Sequence, residues 1–250
     1  AGMKDLLVRL QASNMEDLSA VLALYRPDSM GALDEFIECK HDPSKIHYIH
    51  PDMEPILSNT YGALIYQEEI MDIVRKFGGR TYGGADLYRK AIGKKNVELV
   101  KQESEKLYQE IIDTGYPEEL AKQISDEMAS KGGYCFNRSH SYCYAVICFQ
   151  TAYLKTYYPT YFFKALFNLN KNKAGMINKY ILDAKQFGID VLPPNINKSD
   201  VNFSIADNNI LFGLSAISGI GNSVAEQIIS VREKESFKNL NDFIDRTNVN

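Results

Sequence analysis

The stretch SHSYCYAVICFQTAYLKTYY, residues 139–158, is the longest and most apolar helical pattern in the chain, and Pro159 follows it. Its apolar side chains recur every three or four residues, which predicts one long helix with those side chains on its inner faces. We expect Pro159 to end this helix. The side chains predicted to face inward are Tyr142, Ala145, Val146, Phe149, Ala152 and Tyr153.

Outward from this helix, helical patterns dominate the chain as far as Gly188. One interval is predicted to be irregular, residues 28–52, because Pro43 and Pro51 interrupt it. The other predicted helices cover residues 15–24, 53–57, 61–77, 85–92, 96–114, 117–130, 160–168 and 174–187.

The pattern changes after Gly188. Residues 189–194 end in two prolines, which predicts extended backbone. Apolar residues 203–205 and 210–212 flank Asp207-Asn208-Asn209, a combination typical of a β-hairpin.

The fold class predicted from these patterns is mainly α. A helical domain is expected over residues 1–190. A small β-hairpin and a helix-hairpin-helix element, including a helix over residues 223–232, are expected over residues 191–250.

The composition is that of a globular protein, with 45% hydrophobic and 24% charged residues. No apolar stretch is long enough to cross a bilayer and the first residues form no apolar signal core, so we expect a cytoplasmic protein without membrane contact. The cysteines form no C-x-x-C pair and have no histidine pair at zinc spacing, which predicts buried reduced thiols and no metal site. They are Cys39, Cys135, Cys143 and Cys148.

Charge is distributed unevenly along the chain. The net charge of −4 argues against a uniformly basic nucleic-acid-binding surface. Between residues 75 and 101, however, only Asp86 and Glu98 oppose a run of basic residues, which predicts a phosphate-facing surface. The basic residues are Arg75, Lys76, Arg80, Arg89, Lys90, Lys94, Lys95 and Lys101.

A first motif is GADLYRKAIGKK, residues 84–95. Arg89 offers a bidentate fork and Lys90 a mobile charge within the same helical turn, and both suit a polyphosphate. Backbone amides at the helix start are expected to add donors. The alternative is a solvated basic helix end that complements the helix dipole.

A second motif is GGYCFNRSHS, residues 132–141, just before the long helix. Its aromatic, amide, guanidinium and hydroxyl groups suit contact with a phosphate and stacking on a base. Ser139 is predicted to cap the helix, and the alternative interpretation is a capped loop with a hydrogen-bonded histidine. Neither this motif nor the first contains a nucleophile with a base and an orienting group, so hydrolase chemistry is not indicated.

A third motif is ISGIGNSVA, residues 217–225. Two glycines around an apolar residue permit close approach to a phosphate, and the following helix start supplies amides. This pattern predicts a helix-hairpin-helix element that contacts DNA backbone, with a plain turn between helices as the alternative. The contacting residues would be Gly219, Ile220, Gly221, Asn222 and Ser223.

These motifs belong to an ordered series that runs from residue 2 to about residue 247. The series resembles the fingers region and the start of the helix-hairpin-helix region of the bacterial DNA polymerase III alpha subunit, a C-family replicative polymerase. The matching stretches include ALYRP (23–27), TYG (60–62), YQE (66–68), residues 84–95 and 133–141, QTAYLK (150–155) and LPP (192–194).

The resemblance implies roles for particular residues. Arg89 and Lys90 would hold the triphosphate of the incoming nucleotide, with support from Lys94 and Lys95. The nucleotide-side face of the fingers would be lined by Asn137, Arg138, Ser139 and His140, and residues 219–223 would hold duplex backbone. The implied chemistry is nucleotidyl transfer with Mg²⁺.

The resemblance also implies what this chain does not carry. The three metal-binding aspartates of the palm are expected outside it, as is the sliding-clamp motif. No catalytic residue and no metal ligand is therefore expected in this chain, and alone it should not polymerise DNA. Its expected partners are template-primer DNA, deoxynucleoside triphosphates, a palm-bearing chain or the remainder of the same polymerase, and a sliding clamp.

Some positions depart from the family pattern. Lys90 stands where the family usually has arginine, Cys135 where it has glycine and Arg138 where it has lysine. The departures suggest a divergent member. The alternative functions are a non-catalytic DNA-binding module and an inactive remnant.

Overall fold

The computed structural model describes residues 2–27, 30–94 and 96–247, and of Met30 the backbone alone. Lys95, predicted to support a triphosphate, lies outside the described residues. Backbone contacts divide the chain into two compact units, residues 1–148 and residues 149–250. No helix in the described ranges has the length and apolar character that a membrane span requires.

The first unit is built from helices. In chain order they are α1 (Gly2–Leu10), α2 (Met15–Leu24), α3 (Leu33–His41), α4 (Glu54–Leu57), α5 (Gln67–Gly78), α6 (Tyr82–Gly93), α7 (Val97–Asp113), α8 (Glu118–Lys131) and α9 (Arg138–Tyr157), the last of which continues past residue 148. These helices pack around two hydrophobic cores. Phe36 and Tyr66 are fully buried with α1 to α3, and Phe77, Tyr88 and Leu107 are fully buried with α5 to α8.

The second unit combines helices with a small sheet. Its elements are α10 (Pro159–Leu169), α11 (Ala174–Lys185), β1 (Val191–Leu192), β2 (Ser204–Ala206), β3 (Asn209–Leu211), α12 (Asn222–Arg232) and α13 (Leu240–Thr247). Phe163, Phe167 and Phe203 are buried in one cluster, and Ala225 and Ile228 of α12 lie in another. The mainly helical fold class is thereby confirmed.

The sheet has the strand order β1-β3-β2. Strands β2 and β3 are antiparallel with Ile205 opposite Ile210, which confirms the predicted hairpin. Asp207 and Asn208 both have positive φ, 49° and 63°, as the two-residue turns that match strand twist require. The extended backbone predicted for residues 189–194 contains β1, which pairs parallel to β3.

Helix α3 corrects the prediction that residues 28–52 are irregular. Its buried residues Leu33, Phe36 and Ile37 pack in the same core as α1 and α2. The flanking prolines interrupt the chain only beyond it, at Pro43 and Pro51. The prediction overlooked its local signals, acidic residues in the first turn and basic residues in the last, and burial of its apolar face stabilises this nine-residue helix.

The inward face predicted for residues 139–158 is wrong for most of its members. Within α9 the buried residues are Ser141 and Ala145. Ala152 is exposed, and the exposed fractions of the larger side chains are 37% for Tyr142, 36% for Val146, 55% for Phe149 and 46% for Tyr153. The exposed apolar side chains of α9 also include Tyr144 and Ile147, and helical periodicity alone does not reveal which side of a helix other elements cover.

The thiols also differ from expectation. Cys39 and Cys135 are buried, as predicted, whereas Cys143 is exposed and Cys148 is half-buried. Cys143 and Cys148 lie on α9, whose side chains were wrongly predicted to be buried, so their exposure has the same cause.

Candidate nucleotide and DNA interfaces

The first motif lies on α6, which begins three residues earlier than predicted. Thr81 caps the helix, and its hydroxyl accepts a hydrogen bond from the amide of Gly84 over 3.2 Å. The amide of Ala85 donates to the Thr81 carbonyl over 2.9 Å. Both amides are therefore satisfied within the protein, which removes the helix-start donors expected for a phosphate at Gly84 and Ala85.

Asp86 organises the basic pair of this motif. Its Oδ1 accepts hydrogen bonds from Arg89 Nε at 3.0 Å and Nη2 at 2.7 Å. Its Oδ2 lies 2.7 Å from Lys90 Nζ. Lys90 and then Arg89 lower the pKa of Asp86, so the carboxylate stays ionised and holds both cations on one side of the helix.

A cavity of about 560 Å³ lies beside this pair. Arg89, Lys90 and the exposed Lys94 line it together with Gln67, and Glu103 contributes one carboxylate. Three of the predicted triphosphate residues thus share one concave surface of a size typical of ligand sites.

The predicted basic surface is smaller than the sequence indicates. Arg80 is only 12% exposed, and it donates to Glu110 at 2.6 Å and to Glu103 at 2.9 Å. Arg75 pairs with Asp72 and Lys76 with Asp52, at 3.3 Å and 3.1 Å. Carboxylates outside the basic run therefore offset several of its charges, from three residues away for Asp72 and from more than twenty for Asp52, Glu103 and Glu110.

The second motif begins as a 3-10 turn at Gly132–Tyr134, continues as non-helical backbone at residues 135–137 and enters α9 at Arg138. Phe136 donates its amide to the Ile65 carbonyl at 2.8 Å and accepts from the Gln67 amide at 2.9 Å, so it pairs with Tyr66 in a parallel bridge. The helix cap is Asn137 rather than Ser139, because Asn137 Oδ1 accepts from the His140 amide at 2.8 Å.

The predicted nucleotide residues of this motif differ in exposure and in their contacts. Arg138 forms an ion pair with Glu16 at 2.9 Å, and its guanidinium lies over the Tyr66 ring. Ser139 and His140 are exposed. The His140 ring lies 4.8 Å from Tyr144, as part of an accessible aromatic surface.

Gln67 and Glu68 join the two motifs, a role that sequence reasoning missed although YQE was part of the matching series. Gln67 Oε1 accepts from Arg89 Nη1 at 3.0 Å, and its Nε2 lies 3.4 Å from the Cys135 carbonyl. Glu68 accepts from the Arg138 amide at 2.9 Å and from Asn137 Nδ2 at 3.3 Å.

Further hydrogen bonds support this junction. Glu69 Oε2 accepts hydrogen bonds from the amides of Ile65 and Tyr66, each at 2.8 Å, and burial raises the pKa of Glu69 to about 7. Arg26, from the ALYRP stretch, donates to the Tyr134 carbonyl at 2.9 Å. The Glu69 bonds fix the segment before α5, and the Arg26 bond fixes the segment before α9.

The third motif forms the turn into α12. Gly219 has φ of +88°, a conformation that favours glycine, and Gly221 precedes the first helical residue. Gly221, Asn222 and Ser223 are exposed, and a Cβ at Gly221 would meet no described atom within 4 Å. The surface therefore leaves room for close approach to backbone amides.

Lys171 adds a positive charge beside this turn that sequence reasoning missed. Its ammonium donates to Asn222 Oδ1, Ser215 Oγ and Asn202 Oδ1, at 3.2, 3.0 and 2.9 Å. These acceptors are neutral, so they orient the ammonium near the start of α12 without cancelling its charge.

The chain matches two family models. Residues 1–115 match the bacterial DNA polymerase III alpha subunit finger domain, and residues 188–250 match the helix-hairpin-helix motif. Fold and matches together define the class, which is that of the finger and helix-hairpin-helix domains of a DNA polymerase.

Curated relatives show which kind of DNA polymerase this chain is similar to. The chain is 43% identical to the DNA polymerase III subunit alpha of Aquifex aeolicus, 42% to that of Campylobacter jejuni and 38% to that of Bacillus subtilis. The alignments cover 98%, 100% and 97% of this chain but only 21%, 22% and 22% of those proteins. The chain belongs to the bacterial DNA polymerase III alpha subunit family and spans about a fifth of the length of these relatives.

Proposed function

We propose that this chain supplies the nucleotide-binding fingers and a DNA-backbone contact to templated DNA synthesis. The observation that carries the proposal is the cavity lined by Arg89, Lys90 and Lys94. Its cations match the oxygens of a triphosphate in charge and in donor geometry. Lys95 is proposed to support the same surface from its place in the motif.

The second motif is proposed to face the base and sugar side of the same nucleotide. Exposed Ser139 and His140 offer polar groups, whereas Asn137 and Arg138 contribute through the helix cap and the ion pair that shape this face. His140 beside Phe136 and Tyr144 provides the kind of aromatic surface on which bases stack.

The turn at residues 219–223 is proposed to hold duplex backbone without reading sequence. Open space at Gly219 and Gly221 and the nearby ammonium of Lys171 support this role. Contacts of this kind position a protein on DNA but carry little sequence information.

The division into fingers, residues 1–190, and helix-hairpin-helix region, residues 191–250, is also a proposal. The family match that begins at residue 188 supports a functional boundary close to residue 190. Backbone contacts divide the chain earlier, between residues 148 and 149.

The implied metal chemistry is not assigned to residues of this chain. In the ranges that the structure describes, no three His, Cys, Asp or Glu side chains are grouped so as to hold a metal ion. The residues present therefore do not fit a palm-type Mg²⁺ site. We propose that polymerisation requires a palm-bearing chain or segment, in the cytoplasm and with a sliding clamp, and that this chain contributes binding.

Calorimetry tests the nucleotide proposal. Titration with dATP in excess Mg²⁺ should give a Kd of about 1 mM or tighter for the chain. The Arg89→Ala/Lys90→Ala variant should lose this binding. The variant Lys4→Ala/Lys122→Ala removes the same charge from exposed lysines of α1 and α8 and should bind as the parent does.

Equal heats for all three proteins would contradict the assignment to the fingers cavity. If nucleotide binding is absent but a primer-template duplex still binds, with affinity that falls as salt rises, the chain is a DNA-binding module instead. Absence of both activities would favour an inactive remnant.

A further inference from the structure

We propose that Gln67 is a positioning residue that aims the Arg89 guanidinium at the triphosphate and ties its orientation to the second motif. The inference rests on the proposed nucleotide-binding function and names how that site is organised. The side-chain amide of Gln67 lies between Arg89 and the Cys135 carbonyl and contacts both.

The donors of Arg89 show why a second acceptor matters. A guanidinium has five N–H groups. Asp86 accepts from Nε and Nη2, and Gln67 accepts from Nη1. One N–H remains on each terminal nitrogen, and two neighbouring N–H groups are what a bidentate phosphate contact uses. With Asp86 alone, the Nη1 side of the guanidinium would lack this restraint.

The orientation of Gln67 is itself fixed from the second motif. Its amide nitrogen faces the Cys135 carbonyl, an acceptor, which leaves its oxygen toward Arg89, a donor. Its backbone amide donates to the Phe136 carbonyl at 2.9 Å. Both bonds end on the segment just before Asn137. A shift of that segment would therefore reorient Arg89.

Gln67 carries no charge, which matters beside a cation that attracts a phosphate. Asp86 already supplies one carboxylate to Arg89 and Lys90. A second carboxylate at position 67 would offset the charge that attracts a phosphate, whereas an amide orients the guanidinium and leaves its charge in place. The structure thus favours glutamine over glutamate at this position.

The test is dATP binding, measured by calorimetry with Mg²⁺, in a double-mutant cycle. Gln67→Met keeps the volume of the side chain and removes both hydrogen bonds. In the chain with Arg89 it should weaken binding about five- to tenfold, the scale of one typical intramolecular hydrogen bond. In the Arg89→Lys background, where the fork is absent but the charge remains, it should change binding less than about twofold.

Two further variants sharpen the result. Gln67→Glu still offers an acceptor to Arg89 and should nonetheless weaken binding more than Gln67→Met does, because of its charge. Gln109→Met makes the same change at an exposed glutamine of α7, whose amide contacts Asp113 at 2.9 Å, and should leave binding unchanged.

The outcomes distinguish failure of this inference from failure of the proposed nucleotide-binding function. If Arg89→Lys and Arg89→Ala/Lys90→Ala bind dATP like the parent, the proposed function fails. If those variants weaken binding but Gln67→Met does not, Gln67 has no positioning role. If Gln67→Met weakens binding equally in both backgrounds, it acts through general structure rather than through Arg89, and the inference is likewise overturned.

Discussion

Tyr61 donates a hydrogen bond from its phenol to Asp17 Oδ1 over 2.6 Å, across 44 residues of sequence. The other carboxylate oxygen of Asp17 forms an ion pair with Lys40. Asp17 is fully buried and the Lys40 side chain is 9% exposed. The group joins α2, α3 and the turn before α5, and so anchors the helices that support the candidate nucleotide site.

Replacing Asp17 should destabilise the fold strongly. Asp17→Asn leaves the buried Lys40 ammonium without a charge partner, and breaking a buried pair in this way costs about 3–5 kcal/mol. Urea unfolding at pH 7 measures the loss. Asp34→Asn is the control, because its pair with Arg9 is exposed and should contribute little.

This contribution should also depend on pH. Burial opposes ionisation of Asp17, but hydrogen bonds from Lys40, Ser13 and Tyr61 outweigh it and lower the pKa of Asp17. A lowered folded-state pKa gives stabilisation that is present above about pH 4 and is lost as pH falls through the folded value. A difference between parent and Asp17→Asn that stayed constant into acid would contradict this expectation.

Glu69 should give a pH dependence of the opposite sign. Burial raises its pKa to about 7, so the folded chain binds more protons than the unfolded chain between about pH 4.5 and 7. The free energy of unfolding should therefore fall as pH rises through this window, by a few kcal/mol in order of magnitude. Glu69→Gln should flatten that slope, and the exposed Glu105→Gln should preserve it.

Denaturant titrations at pH 5, 6 and 7 on the three proteins decide this point. Parallel curves for the parent and Glu69→Gln would show that the carboxylate keeps an ordinary pKa. The two amide donors from Ile65 and Tyr66 would then have offset burial completely.

Two glycines of the second unit should respond differently to alanine. A Cβ at Gly221 meets open space, so Gly221→Ala should cost less than about 1 kcal/mol of stability, the scale of a changed helix cap. The added methyl group would obstruct a phosphate at the start of α12, and duplex affinity should fall about tenfold. Fluorescence anisotropy with a labelled primer-template measures this loss.

Gly188→Ala is the matched control for that experiment. Gly188 has φ of +71°, and a residue other than glycine in this left-handed conformation costs about 1–2 kcal/mol. Stability should fall, while the duplex affinity of the folded fraction should be retained. Weakened DNA binding in Gly188→Ala but not in Gly221→Ala would place the DNA contact elsewhere.

A cysteine on α9 and a cysteine in the core should react with a thiol reagent at different rates. Cys143 is exposed, whereas Cys135 is 8% exposed and burial raises the pKa of Cys135 to about 12. Maleimide should therefore modify Cys143 faster than Cys135 by on the order of tenfold or more. Peptide mass spectrometry after timed labelling measures both rates, and 6 M urea should equalise them. Equal rates in the folded protein would mean that Cys135 is accessible.

Local features were predictable because their causes lie within a few residues. Val97–Asp113 was expected as residues 96–114, and its cap is Asn96, whose side chain accepts from the Leu99 amide. The hairpin followed from Asp207 and Asn208, which tolerate positive φ. A cap, a turn and a helical repeat each act over one or two turns of chain, so the sequence displays them directly.

The sequence by itself determined the helical class, the hairpin, and the order and content of the motifs. Only the tertiary structure decided which charges are offset, as for Arg80, and which apolar face is uncovered, as on α9. It also decided that Gln67 lies between Arg89 and Cys135. The physical reason is the distance along the chain over which each kind of interaction acts. Propensities act along the chain, whereas ion pairs, burial and hydrogen bonds between distant residues depend on distances that exist only after folding.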